Sequence, residues 1–271
     1  MSASIRGMEV FVLAILGLCF GSFINALVWR IRHKRDMLRE RSECTHCHHV
    51  LAWYDLLPLL SWLLLRGRCR YCRKPIDDSP IVELVTAALF VVSYVAWPFG
   101  WTSAGVVLFV LWLVALIILI ALSDYDLRWY LLPDRLMYPL IVIGGGMSYV
   151  RFVSIGGQSI TSWLMTMLGG VGVIAGLYWV LHHVSRGTWV GYGDVKLSVF
   201  IGSILGWQGA LFSLFAANVI GCIVVLPALF AKKLNTTSKI PFGPFLITAC
   251  IIALLWGESI IGWYSRVVVG L

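Results

Sequence analysis

The chain has 271 residues, of which 60% are hydrophobic and only 13% are charged, and its mean hydropathy is +0.89. So little polar surface could not cover the outside of a water-soluble globule, and the same composition excludes an intrinsically disordered chain. The net charge of +8 in such an apolar chain is typical of a membrane protein with a basic cytoplasmic face, and it does not point to nucleic-acid binding.

Eight apolar stretches approach the ~20 residues that a helix needs to cross a bilayer. In chain order they are 8–29, 81–97, 104–123, 131–150, 163–183, 195–207, 210–230 and 245–263. We therefore predict an all-α polytopic membrane protein of about eight transmembrane helices. The first stretch runs straight into a basic segment, so no cleavable signal is predicted, and its Gly17 and Gly21 have the spacing of a close-packing helix face.

A polar region separates the first apolar stretch from the others. The predicted domains are a first transmembrane helix at 1–29, a small cytoplasmic tetra-cysteine domain at 30–80, and a seven-helix membrane domain at 81–271. Within the polar region, the apolar segment 51–65 is short and is interrupted by Asp55 and Pro58, which favours a core or interfacial segment over a span.

The basic residues predict the orientation in the membrane. Eleven of the 21 Lys and Arg residues lie in 30–74, which favours a cytoplasmic position for that region. Alternating spans then leave only Arg6, Arg151 and Arg266 outside, which predicts an N-terminus outside the cytoplasm.

Four aspartates lie in or beside the later apolar stretches: Asp124, Asp126, Asp134 and Asp194. A charge in such a position is costly, and it persists where it pairs, lies at the interface or performs chemistry. Asp124 and Asp126 end the third stretch and Asp194 begins the sixth, so alternation brings them to the same membrane face. Two carboxylates that meet tend to share a proton, and the pair then offers a base to activate water and an acid to protonate a leaving group.

Two other interpretations of these aspartates remain open. They are interfacial residues if Asp126 pairs with Arg128, and Asp194 with Lys196 or a helix N-terminus. Alternatively they belong to a proton-coupled transporter, although transporter carboxylates gather near the midplane and these gather at one interface.

Four of the seven cysteines form two pairs, Cys44-x-x-Cys47 and Cys69-x-x-Cys72, separated by 21 residues. This spacing predicts a structural zinc site of four thiolates, because a reducing cytoplasm favours metal binding over disulfides. Four free thiols are the alternative, and a nearby histidine could replace a ligand: His46, His48 or His49. The lone Cys19, Cys222 and Cys250 are predicted to be small core residues.

The sequence lacks the motifs of several enzyme classes. It contains no His-Glu-x-x-His of zinc proteases, no Gly-x-Ser-x-Gly of serine hydrolases, and no Gly-x-Gly-x-x-Gly of a Rossmann cofactor fold.

Six segments, in order, resemble those of the type IV prepilin peptidases, the aspartyl membrane proteases that carry a Gly-x-Gly-Asp motif. They are GSFINALVWR at 21–30, CTHC at 44–47 with WYDLLPLLSWLLLRGRCRYC at 53–72, VELVTA at 82–87, DYDLRWYLLPD at 124–134, GYGDVKL at 191–197, and IPFGPFL at 240–246. The likeness covers nearly the whole chain.

The resemblance implies a bifunctional enzyme of the bacterial inner membrane. Such enzymes cut a short basic leader from prepilins or type II secretion pseudopilins at the cytoplasmic face, and then methylate the new N-terminal residue, usually Phe, with S-adenosylmethionine. It implies catalytic roles for Asp124 and Asp194, and a zinc-binding role for the four paired cysteines. The residues expected to support these are Asp126, Asp134, Gly191, Gly193 and Lys196.

The methyl-transfer half has one candidate residue, Gly67, which the resemblance links to methylation and which is otherwise a turn glycine between two arginines. The expected partners are the substrate and membrane lipid, with no nucleic acid, and the sequence predicts no oligomeric state. The alternatives are a peptidase without methyl transfer, and a membrane transporter or assembly factor with interfacial aspartates.

Overall fold

The computed structural model describes residues 3–36, 41–76, 79–156, 159–231 and 239–269. Within these ranges the protein is all-α, and its β-structure is confined to two isolated bridges. The α-helices are α1 (Ala3–Arg32), α2 (Leu60–Leu65), α3 (Pro80–Val95), α4 (Ser103–Trp129), α5 (Asp134–Ile155), α6 (Ile160–Val171), α7 (Leu177–Val184), α8 (Tyr192–Phe230) and α9 (Gly243–Tyr264). Short π-helical segments follow α6 (Gly172–Gly176) and α9 (Ser265–Val269).

The chain forms two compact units, Met1–Val95 and Ala96–Leu271. In the first unit α1 packs against α3 along the predicted glycine face. A Cβ at Gly17 would lie 2.5 Å from the Cα of Ala87, and one at Gly21 would meet the Cα of Glu83, so only glycine permits this approach. The helix α3, which the sequence grouped with the later spans, therefore packs with the first one.

The segment at 51–65 does not form a span, as predicted. It folds as a 3-10 turn (Trp53–Leu56) and the short helix α2. The backbone N–H of Leu59 donates to the buried carboxylate of Glu83 at 2.7 Å, which fixes this segment to α3.

In the second unit α4 is the most buried long helix, and Trp112, Leu116 and Leu119 on it are fully enclosed. It packs against α5 and α9, while α8 packs against α5, α6 and α9. The helix α4 continues to Trp129, beyond the predicted end at 123, so that Asp124 and Asp126 lie on its last turns. The predicted start of α5 at residue 131 moves to Asp134, because Pro133 occupies the N-cap.

The helix α8 reverses direction at Gly206, whose φ of 68° and ψ of −179° are not helical. Asp194 and Asn218 would be about 36 Å apart on a straight helix. Both nevertheless lie near the hydroxyl of Tyr178. The two parts of α8, 192–205 and 207–230, are therefore distinct helical segments, in agreement with the two apolar stretches predicted from the sequence.

Six helical stretches are long and apolar enough to cross a membrane, and α3 is a shorter apolar helix of 16 residues. When α8 is counted as two parts, the described residues contain eight apolar helical segments. The predicted fold class is confirmed, and the protein is a multi-pass membrane protein.

Candidate active site and cysteine cluster

Four helix ends meet at one end of the second unit: the C-terminus of α4 and the N-termini of α5, α8 and α9. The contacts that join them involve Asp126 with Gly243, Leu132 with Gly193, and Asp134 with Lys196. All four predicted aspartates lie at this end.

Asp126 is buried, with 5% of its surface exposed. Its Oδ2 accepts a hydrogen bond from the backbone N–H of Gly243 at 3.1 Å, which links the end of α4 to the start of α9. A Cβ at Gly243 would lie 2.7 Å from that oxygen, so the absence of a side chain there admits the carboxylate.

Asp124 lies two residues before Asp126, and residues so spaced on an α-helix point in nearly opposite directions. Its Oδ1 accepts from Nε of Arg128 at 3.0 Å, one turn along the same helix. Its Oδ2 is buried without a hydrogen-bond partner among the described residues. Asp124 therefore forms an ion pair within α4, the arrangement that the sequence interpretation had suggested for Asp126.

Asp194 is also buried, with 8% of its surface exposed. It lies in the first turn of α8, and its Oδ2 accepts from the backbone N–H of the N-cap Gly191 at 3.2 Å. A Cβ at Gly191 would lie only 3.3 Å from this oxygen, which explains why glycine suits the position.

The carboxylate whose charge acts on Asp194 is that of Asp126. Asp124 is not among the groups that act on Asp194 within the described part of the chain. The structure therefore brings Asp194 together with Asp126, whereas the sequence interpretation paired it with Asp124.

The remaining predicted residues build the walls of the site. A Cβ at Gly193 would lie 2.9 Å from the Cβ of Leu132, which also borders Gly243, so Leu132 is wedged between the starts of α8 and α9. Lys196 donates to Asp134 at 2.6 Å and joins α8 to α5. Its ammonium also lies over the rings of Tyr138 and Tyr192. Lys196 therefore pairs with Asp134, whereas one interpretation of the sequence paired it with Asp194.

The four paired cysteines form one cluster in the first unit. Their Sγ atoms lie within 4.8 Å of one another, with 3.9 Å between those of Cys44 and Cys72. Tetrahedral zinc with Zn–S bonds of ~2.3 Å holds its sulfurs roughly 3.8 Å apart. The four side chains thus fit a zinc ion, and the cluster could hold a metal.

Both cysteine pairs are presented by the same backbone turn. Cys44 N–H donates to His49 O at 3.0 Å, and Cys69 N–H donates to Lys74 O at 2.9 Å. The residue after each second cysteine, His48 or Arg73, has positive φ. Burial alone would raise the pKa of the Cys44 thiol, but nearby backbone N–H groups and thiols outweigh it and lower the pKa to about 7. At Cys47 the backbone of His49 lowers the pKa, but desolvation and the neighbouring thiols outweigh it and raise the pKa to about 11, so one proton is held more tightly within the cluster than another.

A buried carboxylate connects the second cysteine turn to the 3-10 turn. Asp55, whose side chain is 3% exposed, accepts from Nε of Arg70 at 2.7 Å, from the hydroxyl of Tyr71 at 3.2 Å and from Ala52 N–H at 3.2 Å. Burial would raise the pKa of Asp55, but these hydrogen bonds outweigh it and hold the pKa below its ordinary value.

Two family models match the chain. Residues 15–97 match the bacterial Peptidase A24 N-terminal domain, and residues 113–226 match the type IV leader peptidase family. The prepilin leader peptidase/N-methyltransferase of Aeromonas hydrophila is 34% identical over 278 residues, which cover 92% of this chain and 91% of that protein. The proteins of the same name from Stutzerimonas stutzeri and Pseudomonas aeruginosa are 33% and 32% identical, each covering 93% of this chain and 92% of their own length.

The chain belongs to the type IV leader peptidase family. The family resemblance predicted from its six motifs is confirmed, and it argues against the transporter alternative. No solved structure was found to match the chain.

In this leader peptidase, Gly67 ends the helix α2. Its φ is +68°, its N–H donates to Trp62 O at 2.9 Å, and a Cβ would lie 3.1 Å from the Trp62 ring. These contacts require glycine for the turn that leads into Cys69. They support the turn-glycine interpretation, and a role in methyl transfer stays a prediction.

Sequence reasoning missed two features of the site. The Gly243 N–H is a backbone group, and its only signal was the motif IPFGPFL. Tyr178 is one aromatic residue among many in an apolar helix, so the sequence offered no signal for it.

Proposed function

We propose that this protein is an aspartic endopeptidase that removes the short basic leader from type IV prepilins or type II secretion pseudopilins. We further propose that it methylates the new N-terminal residue with S-adenosylmethionine. The relatives, whose sequences align with about nine-tenths of this chain, are named for both activities, and those names support the proposal.

The observation that carries the peptidase proposal is the pair Asp126 and Asp194. They come from different helices, both are buried, and the charge of one acts on the other. Each uses one oxygen to accept a backbone N–H, from Gly243 or Gly191. The second oxygen of each has no hydrogen bond among the described residues, and remains able to hold water or substrate.

This arrangement suits hydrolysis of a peptide bond. The ionised carboxylate takes a proton from water, whose oxygen adds to the scissile carbonyl carbon, while the protonated partner donates to the carbonyl oxygen. The tetrahedral intermediate then collapses as the C–N bond breaks and a proton passes to the leaving amine. The backbone N–H groups hold the two carboxylates in place, so the geometry is prepared before substrate arrives.

In this proposal Asp126 takes the role that the sequence interpretation gave to Asp124. Asp124 is engaged by Arg128 and points away from Asp126 around the helix. We assign Asp124 a supporting role at the end of α4. Asp134, Lys196, Gly191 and Gly193 support the site by joining helix ends and by admitting close contacts.

We infer that the cysteine cluster holds a structural zinc ion, since four thiols at this spacing leave no coordination position open for water. The ion would stabilise a small domain that has little hydrophobic core of its own. S-adenosylmethionine would supply the methyl group to the new N-terminus.

Charge supports an inner-membrane location with the site facing the cytoplasm. In the second unit, Arg128, Arg135, Arg186 and Lys196 lie on or beside the helix ends that meet at the site. The outer ends of α5 and α9 carry Arg151 and Arg266. More basic residues thus surround the site, as the positive-inside rule expects. A prepilin whose leader remains cytoplasmic would present its scissile bond at this depth.

The test is incubation of the membrane-reconstituted protein with a prepilin and S-adenosylmethionine, followed by mass spectrometry of the product. Loss of the leader with a gain of one methyl group is expected. Loss of the leader without methylation would show a peptidase alone. Intact substrate in the presence of folded, membrane-inserted protein would contradict the proposal.

A further inference from the structure

Tyr178 lies on α7 with a buried side chain, of which 4% is exposed. Its hydroxyl is buried and has no hydrogen-bond partner among the described residues. A buried hydroxyl without a partner costs free energy, so such a group calls for an explanation in a native structure.

The neighbours of Tyr178 belong to the carboxylate site. Its ring contacts that of Phe242, with centroids 5.9 Å apart at 72°. Phe242 is the N-cap of α9 and directly precedes Gly243, the residue that donates to Asp126. The negative charge of Asp194 also acts on the Tyr178 hydroxyl. The phenol therefore borders Asp194, and its ring packs against the residue that precedes the backbone donor to Asp126.

Asn218 approaches the same hydroxyl from the second part of α8. Its amide nitrogen donates instead to Leu214 O at 2.8 Å, within its own helix. Among the residues that the structure describes, the phenol O–H has no hydrogen-bond partner, although a polar side chain lies beside it.

The backbone before Tyr178 is irregular. The π-helical segment Gly172–Gly176 inserts between α6 and α7 and changes the helical register immediately before this residue. Such an interruption, frequent at functional sites, rotates the side chains that follow it. Without it, Tyr178 would point in a different direction around the helix.

We propose that the Tyr178 hydroxyl is a catalytic hydrogen-bond donor to the carbonyl oxygen of the scissile peptide. This inference rests on the proposed peptidase function. As the oxygen of water bonds to the carbonyl carbon, the C=O π-electrons move onto the carbonyl oxygen, which takes the proton of the protonated aspartate, and the phenol O–H donates a second hydrogen bond to the same oxygen as its negative charge develops. The phenol keeps its proton throughout, while the two aspartates exchange the protons of water and the leaving amine.

A purely structural role for Tyr178 makes a different prediction. The ring packs against Phe242, and phenylalanine would preserve that contact while it removes the hydroxyl. If the ring alone matters, Tyr178→Phe is harmless, and it even relieves an unpaired buried polar group.

The experiment measures kcat and KM for leader cleavage by Tyr178→Phe in reconstituted membranes, with enzyme quantified in the same vesicles. We expect kcat to fall about 10²-fold with little change in KM, as for loss of one oxyanion donor. Tyr149→Phe, at the far end of the second unit, is the matched control and should keep the wild-type rate. A Tyr178→Phe enzyme with wild-type kcat would overturn the proposal, as would a rise in KM alone.

Asp194→Asn, measured in parallel, separates this inference from the proposed function. If Asp194→Asn is inactive while Tyr178→Phe is normal, only the role of Tyr178 fails; if Asp194→Asn cleaves normally, the peptidase proposal fails. If Tyr178→Phe does not accumulate, 3-fluorotyrosine at position 178 retains the hydroxyl and ring and makes the O–H more acidic. A changed kcat with this analogue supports the donor role, and an unchanged kcat overturns it.

Discussion

Gly243 offers the sharpest perturbation of the carboxylate site, because its N–H holds Asp126 and its missing side chain makes room for the same oxygen. In Gly243→Ala the new Cβ would lie 2.7 Å from Asp126 Oδ2, whereas ordinary contacts begin at 3.4 Å. The carboxylate must therefore move by about 0.7 Å. It cannot do so without lengthening its hydrogen bond to Gly243.

The size of the effect follows from that displacement. Misplacement of a reacting group by ~1 Å costs as much as ~10²-fold in rate. We expect Gly243→Ala to lower kcat by about 10²-fold, or about 2.7 kcal/mol in activation free energy. Substrate binding depends on other contacts, so KM should change much less.

The assay is single-turnover cleavage of a purified prepilin by the reconstituted enzyme. The matched control is Gly257→Ala on the same helix, where a Cβ would meet nothing nearer than Ala253 Cβ at 3.9 Å. This control should keep the wild-type rate. Equal rates for the two alanine variants would refute the idea that Gly243 positions Asp126.

Three further predictions concern other contacts. Gly193→Ala brings a Cβ to 2.9 Å from Leu132 Cβ and should destabilise the protein by about 1–3 kcal/mol. The control Gly145→Ala has open space around it and should keep the wild-type stability, as measured for both variants by thermal unfolding in detergent. Cys72→Ser should lose most bound zinc by elemental analysis, whereas Cys19→Ser should retain it. The folded-state pKa of Asp55 is lowered, so the stability contributed by its ionised carboxylate is present above pH ~4 and disappears as the pH falls through that lowered pKa. The difference in Tm between Asp55→Asn and wild type should therefore be largest at neutral pH and should vanish in acid.

Much of the fold could be predicted from apolar length and charge. The reversal within α8 was predicted, because the apolar residues in this part of the chain were divided into two stretches, 195–207 and 210–230. The cysteine cluster was predicted because two Cys-x-x-Cys pairs separated by 21 residues are typical of a zinc site with four thiolate ligands. The packing of α3 with α1 could not be foreseen, since an apolar helix does not reveal which neighbour it meets.

The proposed choice of Asp126 over Asp124 rests on packing that the sequence does not show. The two residues face opposite sides of α4, and only tertiary packing decides which side meets α8 and α9. Arg128 was correctly identified as a local partner, but it binds Asp124 where Asp126 was expected. The donors at Gly191 and Gly243 are backbone groups, which no pattern of side chains reveals.

The most direct test of the proposed pair compares Asp126→Asn with Asp124→Asn in the same cleavage assay, with both proteins shown to be folded in the membrane. Asp126→Asn should abolish cleavage, a loss of more than about 10³-fold, as expected when an acid–base residue is removed. Asp124→Asn breaks only the ion pair with Arg128 and should reduce the rate by no more than about tenfold. An active Asp126→Asn enzyme beside an inactive Asp124→Asn enzyme would contradict the pairing of Asp126 with Asp194.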